Sequence, residues 1–129
     1  MTPEALMSKA VRALESARLL LGSGDIDGAC NRAYFAMFDA AKAALIELVP
    51  DIDPALAKTH SGLISAFSLH LVKGGALPVE MGRSLNRAHE TRQIADYTGD
   101  KVSLEQAKVL VEQASLFVET VHARIRAAP

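Results

Sequence analysis

A single cysteine, Cys30, is all the thiol this chain carries. With no second cysteine it forms no internal disulfide, and a reducing cytoplasm is the expected compartment. Tryptophan is absent, and two tyrosines and four phenylalanines make up only 5% of the 129 residues, although half of them are hydrophobic. Alanine, leucine and valine must therefore supply the packing, which suits closely spaced helices better than a β sandwich. No run of about 20 apolar residues is present to span a membrane, so no membrane partner is expected, and nothing at the start resembles a secretory leader. A formal net charge of -1 argues against coating nucleic acid by bulk electrostatics but leaves room for a local basic patch. Glycine-rich phosphate loops, a nucleophile elbow, paired catalytic carboxylates and metal-ligand spacings are all missing; Gly74-Gly75 has neither the lysine nor the spacing of a phosphate loop. No metal and no cofactor is expected, and ordinary hydrolase and nucleotide-binding readings lose support. No linker, repeat or low-complexity tract interrupts the chain, so residues 1–129 read as a single domain.

What is present is helical periodicity. Thr2 caps a first helix with Pro3 in its first turn, and Leu6, Ala10, Ala13, Leu14, Ala17, Leu20 and Leu21 recur at helical spacing until Gly22. After the turn Gly22-Ser23-Gly24-Asp25, a second helix runs from about Ile26 to Leu48, before Pro50. Three of the six aromatics, Tyr34, Phe35 and Phe38, lie within five positions of it. Turning each residue by about 100° puts Cys30, Tyr34, Met37, Phe38, Ala41, Leu45 and Leu48 on one apolar face, with Asn31, Arg32, Asp39 and Lys42 opposite. Phe35 projects into the polar arc and needs a second surface to cover it, from this chain or a partner. The ridge Ala29, Ala36, Ala40 and Ala43 lets a neighbouring helix approach closely, inside the molecule or across a subunit boundary.

Residues 50 to 58 read as a loop, after which Thr59 caps a third helix with the stripe His60, Leu63, Ile64, Phe67 and Leu71. Pro78 opens a fourth with the stripe Met81, Leu85, Ala88, Arg92 and Ala95, ending near Tyr97 to Asp100, and Ser103 with Gln106 makes a capping box for a fifth. The fold class expected is all-α, an antiparallel four-helix bundle with a fifth helix.

On the fourth helix His89, Arg92 and Asp96 share one side. An arginine on an apolar stripe has to be paired, and Asp96 at i+4, on the same side of the helix, is the nearest candidate. The cluster reads either as a structural ion pair edged by His89 or as a site that meets phosphate or RNA. Arg83 and Arg87 make this region locally basic, which a solvated face explains equally well. His60, near a helix start, fits a structural imidazole donating to a loop carbonyl, and His70 and His122 have no ligand-type neighbours.

Four runs in order, Asn-Arg-Ala-Tyr-Phe-Ala-Met-Phe at 31–38, Lys-Thr-His-Ser-Gly-Leu at 58–63, Leu-Val-Lys-Gly-Gly-Ala-Leu-Pro at 71–78 and Arg-Gln-Ile-Ala-Asp-Tyr at 92–97, resemble the HEPN domain family. The resemblance implies a small helical bundle that dimerises and is often paired with a minimal nucleotidyltransferase as toxin and antitoxin. Many members are metal-independent ribonucleases whose arginine and histidine, four to six residues apart, act on the RNA backbone. Carried onto this chain, the arginine is Arg92, but Tyr97 stands where histidine is expected; Arg83 and His89 satisfy the spacing outside the aligned run.

That departure bears on chemistry. Metal-independent cleavage requires a base for the 2′-hydroxyl, an acid for the leaving oxygen and a cation for the phosphorane charge. A phenol, titrating near about pH 10, is a poor substitute for imidazole. His89 or His60 would have to replace it. The expected protein is thus a homodimer that binds RNA or a nucleotidyltransferase partner through Asn31, Arg32, Phe35 and Asp39 on the second helix and Arg83, Arg87, Asp96 and Tyr97 on the fourth. The alternatives are an active endoribonuclease using Arg92 with His89 or His60, and a purely structural bundle.

Overall fold

The computed structural model describes residues 1–128 and contains five α-helices; among these residues there is no strand. Helix α1 (Pro3–Ser23) starts where Thr2 Oγ1 accepts a hydrogen bond from the Ala5 N–H at 3.1 Å. It stops at Gly24, whose φ of 89° is a left-handed geometry that glycine adopts without a Cβ penalty. Asp25 then caps α2 (Ile26–Leu48), its carboxylate accepting from the Gly28 N–H at 2.9 Å. So short a link folds α2 back along α1.

Helix α2 touches every other helix. Between Ala29 and Leu45 no residue is fully exposed. Asn31, Arg32, Asp39 and Lys42, which the helical wheel sets on an outer polar face, are all half-buried, because neighbours cover that side too. The alanine ridge Ala29, Ala36, Ala40 and Ala43 is completely buried within the chain, so of the two expectations for it the intramolecular one holds. Alanine suits this place: it brings helix axes close at no cost in side-chain entropy.

Residues 50–58 depart from the expected plain loop. Pro54–Ala57 forms a 3-10 turn, started by the fixed φ of Pro54 and by Asp53, whose carboxylate accepts from the Ala55 N–H at 2.9 Å. This turn lies directly over α3 (His60–Phe67), where a Cβ on Gly62 would come within 2.7 Å of the Leu56 carbonyl oxygen. Thr59 caps α3 as expected. The helix continues as a π-helical turn, Ser68–Val72, and α4 (Val79–Gln93) ends in another, Ile94–Thr98, closed by Gly99 at φ 78°. Helix α5 (Leu104–Arg126) begins with the complete capping box of Ser103 and Gln106. All five helices share one contiguous core, with Tyr34, Phe67 and Phe117 its largest fully buried side chains. None of the helices is long and apolar enough to cross a membrane.

Candidate functional site

Tyr34 is the floor of a cluster built where α2, α3 and α4 meet. Its side chain is fully buried, and its hydroxyl is hydrogen-bonded to His60 Nδ1 at 2.7 Å. His60 therefore pairs with a phenol on α2; the expected loop carbonyl is not its partner, since the first turn of α3 points the ring inward across α2. His89 of α4 stacks on His60, ring centroids 5.4 Å apart and planes 17° from parallel, and packs against Tyr34 at 5.4 Å. His60 Nε2 and His89 Nε2 have no protein hydrogen bond and reach solvent, whereas His89 Nδ1 is buried without a partner.

Arg92 lies one turn beyond His89 and is only 11% exposed in its side chain. Its Nε is 2.7 Å from Asp96 Oδ2, a close ion pair in which the N–H is not aligned for a hydrogen bond. Asn31 Nδ2 also donates to Asp96 Oδ2, at 3.0 Å, fixing the carboxylate from α2. Arg92 Nη2 donates to the Tyr97 hydroxyl at 3.2 Å. Asp96 follows Arg92 at ordinary i+4 spacing, and the π-helical turn, with its i→i+5 winding, brings Tyr97 to the same guanidinium. The cation also lies 5.0 Å from the centre of the Phe35 ring, 5.2 Å from that of Tyr97 and 5.9 Å from that of Tyr34. Phe35 is thus covered from within its own chain, by Arg92 on one side, by His60 at 5.8 Å and by Arg32 at 5.7 Å.

Burial shapes the electrostatics. The Tyr34 phenol is pushed up to about 12, mainly by burial and against the pull of Arg92, so it stays protonated. His60 is lowered from the ordinary imidazole value by burial, then by Arg92 and His89; His89 is lowered by burial and Arg92, against Glu90. Both rings are held toward the neutral form. Burial, with Asp27 and Asp96, raises the Cys30 thiol to about 11, which makes it inert.

The remaining sequence-selected residues divide cleanly. Asn31, Arg32, Phe35, His60, His89, Arg92, Asp96 and Tyr97 are brought together here. Asp39 faces Lys9 of α1 with Arg32 and Lys42, its carboxyl raised by burial against those three cations. Arg83 and Arg87 point away to Glu80, at 3.1 and 3.7 Å, as a solvated surface network. His70 and His122 are exposed. Tyr34 was missed as a site residue because its helical position reads as core. The available signal was its hydroxyl, which requires a partner wherever the ring is buried.

What the arrangement does chemically is present donors. His60 and His89 stack on one another over Tyr34, the Arg92 guanidinium lies 5.9 Å from the centre of the same Tyr34 ring, and Arg92 Nη1 and the two Nε2 atoms have no protein hydrogen bond among the described residues. The chain is 38% identical to a UPF0332 protein of Gloeobacter violaceus, over 92% of this chain and 94% of that one. It is 34% identical to the Methanocaldococcus jannaschii protein named "Putative toxin MJ0605", over 92% and 84% of the two chains, and 31% identical to a UPF0332 protein of Thermotoga maritima, over 88% and 83%. Residues 3–124 match the HEPN domain, so a helical architecture, its order of motifs and its relatives agree, and the chain belongs to the HEPN domain family.

Proposed function

We propose that this protein is the RNA-binding HEPN component of a toxin–antitoxin pair, working as a homodimer beside a minimal nucleotidyltransferase. The observation that carries the RNA-binding reading is that two stacked imidazoles, His60 and His89, and the Arg92 guanidinium gather on the Tyr34 ring, with Arg92 Nη1 and both Nε2 atoms free of protein hydrogen bonds. Such a group matches the oxygens of a phosphodiester. Tyr97, 70% exposed and touching Arg92, offers an adjoining face on which a base stacks. The relative named a toxin supports the pairing. The alanine ridge of α2 is buried within the chain, so the homodimer in this reading is carried by the family resemblance and not by that ridge.

A second reading, a metal-independent endoribonuclease, is favoured by one feature: Arg92 lies next to two imidazoles, the minimum set for phosphorane stabilisation and proton transfer. One experiment separates the two. A labelled single-stranded oligoribonucleotide is titrated with the protein and with Arg92→Ala in chelator, reading anisotropy and strand integrity together. The expected result is binding without cleavage, weakened at least about tenfold by Arg92→Ala, since a hydrogen bond to a charged group contributes about 1.5–3 kcal/mol. Cleavage that is lost in His89→Ala would establish the ribonuclease instead, and equal binding by Arg92→Ala would remove the RNA reading.

A further inference from the structure

We propose that Tyr34 is a positioning residue of this site: its hydroxyl, donating to His60 Nδ1, holds His60 as the Nε2–H imidazole, so that the ring meets a phosphate as a donor and is not a resting base. The reading of the ligand rests on the function proposed above; the assignment of the proton does not.

The reasoning is an accounting of hydrogens. Tyr34 is fully buried, its phenol keeps its proton, and the one protein partner of that hydroxyl among the described residues is His60 Nδ1. The rest of its surroundings are the rings of Phe35, Phe38 and His89 and the guanidinium of Arg92, none of which offers a lone pair in reach. A buried O–H has to end on an acceptor, so Nδ1 must carry the lone pair. A neutral imidazole has one proton, and here it falls on Nε2, the nitrogen that reaches solvent. His89 is different: its Nδ1 is buried without a partner, unmet in either tautomer, so the assignment of the proton is made for His60. The charged and titratable groups facing His60 are Arg92 and His89 from α4 and Tyr34 from α2, while Asp96 is engaged by Arg92 and Asn31. No carboxylate competes for the Nε2 proton.

The consequence is functional. In the resting state His60 turns its N–H group to solvent beside Arg92, which suits holding an anion. The lone pair needed to deprotonate a 2′-hydroxyl is turned inward and occupied by Tyr34. His60 meets phosphate with its own base disabled.

The test is nitrogen NMR of histidine-labelled full-length protein at about pH 8, above the ordinary imidazole pKa. His60 signals are assigned by their loss in His60→Gln. The expected wild-type pattern for His60 is a protonated Nε2 and an unprotonated, hydrogen-bonded Nδ1. In Tyr34→Phe the Nδ1 signal moves to that of a free acceptor, and the His60 titration midpoint rises because a donor to the neutral ring is gone, while the lowering by burial, Arg92 and His89 stays. A merely structural tyrosine would move neither. A proton on Nδ1 of His60 in the wild type overturns the proposal, as does a folded Tyr34→Phe protein with an unshifted Nδ1 signal. If that variant does not fold, the wild-type spectrum alone decides. Adding a single-stranded oligoribonucleotide makes a separate arm: unchanged Nε2–H signals count against the phosphate ligand and leave Tyr34's role standing.

Discussion

At the scale of single residues, the site is organised by what cannot be left unpaired. Arg92 keeps its charge in a place that is largely shielded, and Asp96, whose side chain is 21% exposed, neutralises it. The pair is neither a surface bridge, with about 0–1 kcal/mol at stake, nor fully buried, where removing one partner costs about 3–5 kcal/mol. Asp96→Ala should therefore cost about 2 kcal/mol in a thermal or denaturant melt, more than Arg92→Ala, because it leaves the cation behind and also strips Asn31 of its acceptor. Equal, negligible losses from both would mean that the pair is a solvated one. The histidines make a second prediction. Their folded-state pKa values are lowered, so folding favours the neutral rings; that contribution is complete above the ordinary value of 6.5 and is lost as pH falls through the depressed folded values. Melts should weaken over that acid range, and His60→Gln with His89→Gln should flatten the slope. RNA affinity should move the other way, rising as the rings gain charge. Stability that is level down to about pH 5 would contradict the assigned environment.

At the scale of elements, three irregular turns do the positioning. The 3-10 turn Pro54–Ala57 lies on α3 at Gly62 and sets how the His60 end of that helix meets α2. Gly62→Ala should cost about 1–3 kcal/mol, as a small-to-large change does in a packed interior, and should weaken the Tyr34–His60 hydrogen bond. Circular dichroism melts with the His60 nitrogen spectrum check both; an unperturbed variant would show that the turn yields freely. The helices themselves were readable from spacing and caps: Thr2, Thr59 and the Ser103–Gln106 box mark where three of them start because an exposed N–H group needs an acceptor close in sequence. The π-helical turns were not readable, since their i→i+5 winding is a tertiary compromise and leaves no local mark. That is why Asp96 could be matched to Arg92 by helical spacing, while the contact of Tyr97 with the same guanidinium could not. Tyr34 and Phe35 show the same limit. A wheel drawn for one isolated helix separates an inner face from an outer one, but α2 is enclosed on nearly every side, so residues of both faces became parts of one site.

At the scale of the molecule, a nearly neutral helical protein carries a guanidinium and two stacked imidazoles together at the place where α3 and α4 meet α2. Among the other basic groups, Arg83 and Arg87 pair with Glu80, and Lys42 acts on the Asp39 carboxylate. The central claim is that the Arg92–His60–His89 group is where RNA phosphate binds. The most direct measurement is a side-chain NMR titration of the full-length protein with a single-stranded oligoribonucleotide, following the arginine and histidine nitrogen–proton signals. The account predicts saturable shifts at Arg92, His60 and His89, with Arg83, Arg87 and His122 unmoved and the affinity falling as salt is raised. Shifts confined to Arg83 and Arg87, or to the exposed groove between α1 and α5 that His122 lines, would contradict it.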